Sequence, residues 1–226
     1  RRAANQGYLS AQYMVGTCYY YGEGVRKNFK EAIKYYRLAA NQGDEDAQGW
    51  LGVCYYHGHG VGKNYKQAVK YYRLATQNND EDAQYRLGDC YYWGTGIEKN
   101  YQQAVKYFRL AAKQRHEDAQ HMLGTCYYHG DGVRKNYKQA IKYYRLAAKL
   151  RHADAQYMLG RCYYYGDGVR ENYKQAIKLF QLSANQRHAD AELLLGCCYY
   201  LGNGVRKDYK QAAKYFQLSA NQGNSS

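Results

Sequence analysis

The sequence predicts an all-α fold, a right-handed α/α solenoid of helix-turn-helix repeats, on three observations: a fixed period, two helix-start signals in each period, and apolar arcs too wide for one helix pair to bury. Aligned on Gly-x-Cys-Tyr-Tyr, residues Gly16, Gly52, Gly88, Gly124, Gly160 and Gly196 fall 36 residues apart. The repeats run 8–43, 44–79, 80–115, 116–151, 152–187 and 188–223 within one domain spanning 1–226. Residues Arg2 to Gly7 match Leu38 to Gly43 at all but the first position, so 1–7 reads as the tail of a truncated repeat, with more repeats expected upstream.

The first helix of a repeat is expected from about Asp46 to His57, with Asp46 as N-cap. Asp82, Asp118, Asp154 and Asp190 recur there, and Ser10 stands in the first repeat. The second helix opens at Asn28, Asn64, Asn100, Asn136, Asn172 or Asp208. Glu31 or a Gln follows three residues later, as in a capping box. On a helical wheel Ala11, Val15, Cys18, Tyr19 and Gly22 share one arc, and Phe29, Ala32, Ile33, Tyr36 and Ala40 share another. Tyr35 and Leu38 widen the second arc, as in a helix wedged between its own partner and the next repeat. Gly16 and Ala32, the same in every repeat, allow close approach of the two helices.

The chain is 46% hydrophobic, which excludes a disordered tail. At a mean hydropathy of −0.86 it has no apolar run near the roughly 20 residues that cross a bilayer. No membrane insertion is expected, and residues 1–7 lack the apolar core of a leader peptide.

The pattern Ala-x-x-x-Leu-Gly-x-x-Tyr-x-x-Gly-x-Gly-Val-x-x-Asn-Tyr-x-x-Ala-x-x-Tyr-x-x-x-Ala-Ala resembles the Sel1-like repeat, a relative of the tetratricopeptide repeat. The longer period and the Gly-x-Gly loop set it apart from the tetratricopeptide unit of about 34 residues. The Tyr-, Asn- and Lys-rich wording is similar to arrays encoded by giant amoeba-infecting viruses and by intracellular bacteria. The resemblance implies scaffolding within protein complexes, as in degradation machinery and host-pathogen contacts.

Catalytic readings fare poorly. Gly22-Glu23-Gly24 and its counterparts follow a helix six times, where a nucleotide loop would follow a strand once, so they read as tight turns needing positive φ. Six of the seven cysteines share one core position, one repeat apart. Helix pairs stack at about 10 Å, too far for disulfides that need Cα atoms within about 7 Å. Reduced thiols fit the cytoplasm, that of a host included. Cys54 with His57, and Cys126 with His129, have helical ligand spacing but no second pair, so no metal and no cofactor is expected. His116, His152 and His188 recur at the interrepeat turn and read as solvent-facing. With no nucleophile-base pair kept across repeats, the chain reads as a non-enzyme.

Differences among repeats locate the expected binding surface. The variable first-helix positions are Tyr13, Thr17 and Tyr21; Gly49, Val53 and His57; Tyr85, Asp89 and Trp93; His121, Thr125 and His129; Tyr157, Arg161 and Tyr165; Leu193, Cys197 and Leu201. A spacing of four puts each triplet on one face. In related solenoids the first helices line the concave surface, so with the recurring Tyr20, Tyr56, Tyr92, Tyr128, Tyr164 and Tyr200 they are expected to line a concave, aromatic groove for a protein or peptide partner. Drift at solvent positions would favour Lys, Glu and Ser instead. The net charge of +14, carried partly by Lys30, Lys34, Arg37 and their counterparts, suits an acidic partner. The alternatives are a nucleic-acid-binding repeat protein and a structural spacer. Nucleic-acid binding is disfavoured because the charges and the aromatic stripe are placed on different helices. The sixth repeat keeps Tyr215, Phe216 and Leu218 in apolar register, so end-to-end self-association is a further expectation.

Overall fold

The computed structural model describes Ala4 and residues 8–223, so the truncated repeat read in 1–7 lies, Ala4 aside, outside the described residues. Among the described residues the regular structure is helical and no strand occurs. The helix pairs are α1 (Leu9–Tyr21) with α2 (Phe29–Ala40), α3 (Glu45–His57) with α4 (Tyr65–Ala75), and α5 (Glu81–Trp93) with α6 (Tyr101–Lys113). They continue with α7 (Glu117–His129) and α8 (Tyr137–Lys149), α9 (Ala153–Tyr165) and α10 (Tyr173–Ala184), and α11 (Ala189–Leu201) and α12 (Tyr209–Gly223). A 3-10 turn, Thr76–Asn78, prolongs α4. Contacts divide the chain into two compact units, Arg1–His116 and Glu117–Ser226, with three pairs in each. The fold is an all-α helical-repeat solenoid.

Within a pair, the invariant glycine seats an aromatic ring. A Cβ on Gly124 would lie 2.7 Å from Cδ1 and Cε1 of Tyr144, so any side chain there would force α7 and α8 apart. Between pairs, the second helix is shared: Ala140, Ile141, Tyr144 and Ala147 of α8 form one buried cluster with Ala155, Leu159 and Cys162 of α9. The same shared packing joins α2 to α3, α4 to α5 and α10 to α11. Burial of each large side chain contributes about 1.5–3 kcal/mol.

The second-helix caps form where the sequence places them: Asn64 Oδ1 accepts from the backbone N–H of Gln67, and Asp208 Oδ1 from that of Gln211, each at 3.0 Å. The reciprocal half of a capping box is replaced. The backbone N–H of Asn64 donates to the Tyr55 carbonyl at 2.8 Å, which ties the second helix back to the first. The first-helix caps lie two residues before the expected Asp positions. Asp44 and Asp80 accept from Ala47 and Ala83 at 2.7 Å, and His152 and His188 accept through Nδ1 from Ala155 and Ala191 at 3.2 Å. Tyr8, ahead of α1, makes no side-chain cap. Asp46, Asp82 and Asp154 sit instead in the first turn, where carboxylates also favour the helix dipole.

The Gly-x-Gly turns have the positive φ expected of them. Gly58 closes α3 at φ 79°, and Gly60, at φ 72°, lies so close to the backbone of Phe29 that a Cβ there would come within 2.6 Å of its carbonyl. The loop therefore packs on the preceding repeat. Glutamine pairs complete the joints, an exposed donor on a buried acceptor: Gln42 donates to Gln12 at 2.7 Å and Gln186 to Gln156 at 2.9 Å, while Gln156 also donates to the Ala148 carbonyl at the end of α8.

Candidate functional site

The three stripe positions of each first helix have different environments. The first is largely used inside the fold: Tyr85 stacks on His116, His121 on His152 and Tyr157 on His188, with ring centroids 4.6 to 4.8 Å apart. Leu193 is exposed, and Tyr13 leans on Tyr36. The second position is half-buried. Thr17 and Thr125 meet the Tyr36 and Tyr144 hydroxyls, Asp89 accepts from Trp93 Nε1 at 2.9 Å, and the Arg161 guanidinium lies between the rings of Tyr157 and Tyr165. Val53 lines a cavity described below. The third position, Tyr21, His57, Trp93, His129, Tyr165 and Leu201, is exposed in every repeat.

The recurring tyrosines are placed differently from the open groove wall expected of them. Tyr20 and Tyr92 are buried, while Tyr56, Tyr128 and Tyr164 are half-buried. Their hydroxyls reach the loop of the next repeat: Tyr20 bonds His59 Nδ1 at 2.8 Å, Tyr128 donates to Asp167 at 2.6 Å, and Tyr164 accepts from Asn203 at 2.8 Å. Burial first, then the Asp167 carboxylate, pushes the Tyr128 hydroxyl far above its ordinary range. Tyr200 alone of the six is exposed.

The interrepeat histidines do not face solvent. His116, His152 and His188 pair through Nε2 with Asp82, Asp118 and Asp154 at 2.9 to 3.0 Å, and their side chains are only 9 to 15% exposed. The hydrogen bond from its histidine is the main reason that each of Asp82 and Asp154 is held below the usual carboxylate range. Burial alone would lower the pKa of His152, but the bond and charge of Asp118, with Asp154 and Glu117, raise it on balance. His121, enclosed beside His152, is driven down to about 4, first by burial and then by that neighbour. The 34-residue spacing of Asp to His was the sequence signal for these pairs.

Among the described residues, His121, His152 and Asp154 bring ligand atoms within 4.8 Å of one another. Both nitrogens of His152 are already engaged, Nδ1 by Ala155 and Nε2 by Asp118, and Asp154 holds His188. A cation there would have to break a helix cap. Cys54, Cys90, Cys162 and Cys198 are buried, free, and pushed up to about 12 by burial, which suits packing rather than ligation or nucleophilic attack.

The basic arc of the second helices does meet aromatic rings, though not those of the stripe. Arg37 donates to the Tyr55 hydroxyl, Arg73 to Tyr91 and Arg145 to Tyr163, at 2.7 to 3.0 Å. Each partner tyrosine comes from the first helix of the next repeat, at the position of Tyr19 rather than in the stripe. Tyr55 and Tyr71 stack 5.6 Å apart, as do Tyr127 and Tyr143 at 5.7 Å, so each ring spends one face on its neighbour. Lys142 lies over Tyr143, 5.8 Å from its centroid.

The family model for the Sel1 repeat matches residues 9–44, 45–80, 81–116, 117–152, 153–188 and 189–224, each one residue later than the boundaries read from the period. The chain belongs to the Sel1 repeat family. Such proteins are generally protein-interaction scaffolds, typically non-enzymatic. The chain is similar to a protective antigen of uropathogenic Escherichia coli with an SLR fold, at 36% identity over all of this chain and a TM-score of 0.90, and it spans 48% of that protein's length. A Sel1 repeat protein of Oxalobacter formigenes is 32% identical over 95% of this chain and 86% of its own, with a TM-score of 0.87. An immunity protein of Pseudomonas aeruginosa, 21% identical over 94% of this chain and 81% of its own with a TM-score of 0.56, shares the fold. No curated protein matches the chain. No helix among the described residues is long and apolar enough to cross a membrane.

Proposed function

We propose that this Sel1 repeat array is a non-enzymatic adaptor that holds a protein or peptide along the first-helix stripe of each unit, which forms the concave groove expected of related solenoids. One observation carries the reading. The third stripe position is exposed in all six repeats, yet holds large side chains: Tyr21 at 52%, Trp93 at 62%, Tyr165 at 54% and Leu201 at 52% exposure. Aromatic anchors of this kind dominate protein interfaces, where truncating one commonly costs about 2 kcal/mol, on the order of 30-fold in affinity. The +14 charge favours an acidic partner, and the buried thiols of Cys54, Cys90, Cys162 and Cys198, held in no disulfide, suit a reducing cytoplasm, a host's included.

The test is affinity capture from lysate with the native chain and with Trp93→Ala/Tyr165→Ala. Tyr85 is left in place because its ring packs on His116. A partner retained equally by both chains, with circular dichroism unchanged, would move the site off this stripe. Nucleic-acid binding is the second reading, favoured by the meeting of Arg37 with Tyr55 and its counterparts. Weak, sequence-independent binding that falls log-linearly with salt as counterions are released is what any chain of +14 charge gives, whereas tight, salt-resistant RNA binding that depends on Trp93 would replace the adaptor reading.

A further inference from the structure

Three interrepeat joints carry a stacked ring pair, formed by the first stripe residue and the histidine that caps the next first helix: Tyr85 with His116, His121 with His152, and Tyr157 with His188. Between α3 and α5 both rings are missing. Gly49 stands where the others have Tyr or His, and Asp80 stands where they have His. A cavity of about 310 Å³ opens there, with Tyr13, Trp50, Val53 and Tyr72 among its walls and Asp46, Asp80, Asp82 and Arg86 as its charged groups.

The deletion leaves charge unbalanced as well as space unfilled. At those three joints an imidazole sits against the carboxylate one repeat earlier, as His116 does on Asp82. Here that partner is itself a carboxylate, so Asp80 lies in the field of Asp82 and Asp46, and Asp46 in that of Asp44. Asp80 spends Oδ1 on the Ala83 cap, and its Oδ2 is the nearest atom to the position a Gly49 Cβ would take, at 3.3 Å. Burial and, secondarily, neighbouring carboxylates raise the pKa of both groups, as expected of acids lacking a counterion. Asp82 is already paired with His116, which leaves one guanidinium, Arg86, against the two remaining carboxylates. An independent sign comes from another lining residue. Tyr72 is completely buried, yet its hydroxyl at this cavity has no hydrogen-bond partner, although Arg86 lies near it.

We propose that this cavity binds an aromatic amine, its flat ring taking the space of the missing stacked pair among Tyr13, Trp50 and Tyr72 and its ammonium lying against Asp46 and Asp80. The ring recovers aromatic contacts, and the ammonium replaces the absent histidine with charge-assisted hydrogen bonds. The same chemistry is presented by a free arylalkylamine and by the N-terminal tyrosine of a partner chain. The inference does not rest on the adaptor proposal, since the exposed stripe can hold a partner whether or not this cavity is filled.

Tyramine is the probe, followed by calorimetry or by NMR of the protein, with propylamine (charge without ring) and p-cresol (ring without charge) as fragments. Tyramine is expected to bind at least tenfold more tightly than either. Asp80→Asn, which keeps a capping oxygen but removes the charge, should weaken it at least tenfold. Gly49→Tyr/Asp80→His, which rebuilds the ring pair of the other joints, should abolish it while raising the thermal midpoint. A peptide beginning with Tyr and its N-acetylated form separate the sources. Preference for the free-amine peptide over tyramine places the ligand on a partner chain, and preference for tyramine makes it a free metabolite. Affinity for tyramine no better than for propylamine, or undiminished binding in folded Asp80→Asn, overturns the proposal, and that single variant decides the matter if the double variant does not fold.

Discussion

Acidification should destabilise the Glu117–Ser226 unit chiefly through one side chain, His121. Its ring is enclosed between the Tyr144 ring and His152, with Asp118 on its own helix and Asp154 and His188 on α9 and the turn before α11 contributing charge. The folded pKa lies at about 4, against 6.5 in an open chain. A histidine lowered in this way stays neutral when folded, so its contribution is flat above pH 6.5 and is lost as pH falls from there toward 4. At pH 4.5 the unfolded chain gains about 2.5 kcal/mol from this proton, or roughly 2 after allowing for the ring's residual solvent contact. The perturbation is His121→Tyr, the residue found at the same position in Tyr85 and Tyr157, where it stacks on the following histidine. Urea denaturation of both chains at pH 7.5 and 4.5 measures the effect. The native chain should lose about 2 kcal/mol more than the variant between the two pH values, while the Asp–His pairs, present in both, largely cancel. Equal losses in the two chains would show that His121 is protonated in the folded state, and the reasoning would be wrong.

Gly124→Ala should destabilise by about 1–3 kcal/mol, because the methyl group meets the Tyr144 ring at 2.7 Å, whereas Gly62→Ala, with nothing within 4 Å, should leave the thermal midpoint unchanged within error. A thiol reagent at pH 8 should label only Cys18 and Cys197 quickly in the native chain, the remaining five cysteines being buried; rapid labelling of all seven would show the array opening readily. Tyr128→Phe should cost about 1 kcal/mol by removing the bond to Asp167, read as a lower urea midpoint with an unchanged slope. End-to-end pairing through the half-buried Tyr215 and Phe216 and the exposed Leu218 of α12 should appear as a sedimentation coefficient that rises with concentration, and a constant value would remove that expectation.

Most of the architecture was legible because it repeats. The period, the Asn caps, the glycine turns and the Gly–aromatic seat each depend on local spacing, which a linear pattern records. What escaped depends on partners one repeat away. Asp46 looked like a cap because Asp is a good N-cap, yet Asp44 two residues earlier holds the helix start, and in later repeats a histidine fills that place. His152 looked exposed because it sits at a turn, but Asp118, 34 residues before it, draws it into the joint. Tyr20 looked like groove surface because it recurs beside variable residues, and it recurs because the next loop needs its hydroxyl. The variable stripe itself mixed joint-forming residues with exposed ones, a distinction that only burial resolves.

The joints have a genetic consequence. Their bonds link fixed offsets along the chain: 18 residues from Arg37 to Tyr55, 30 from Gln12 to Gln42, 34 from Asp118 to His152 and 39 from Tyr128 to Asp167. A duplication or deletion of one whole period carries both halves of every such bond into register, so recombination between neighbouring copies can lengthen or shorten the gene without orphaning a donor. A slip of any other length breaks all four at once. Overwriting Gly49 to Asp80 with the copy that follows it, Tyr85 to His116, would restore the ring pair in a single event and erase the cavity, whereas the preceding copy, Tyr13 to Asp44, would return only one of the two rings.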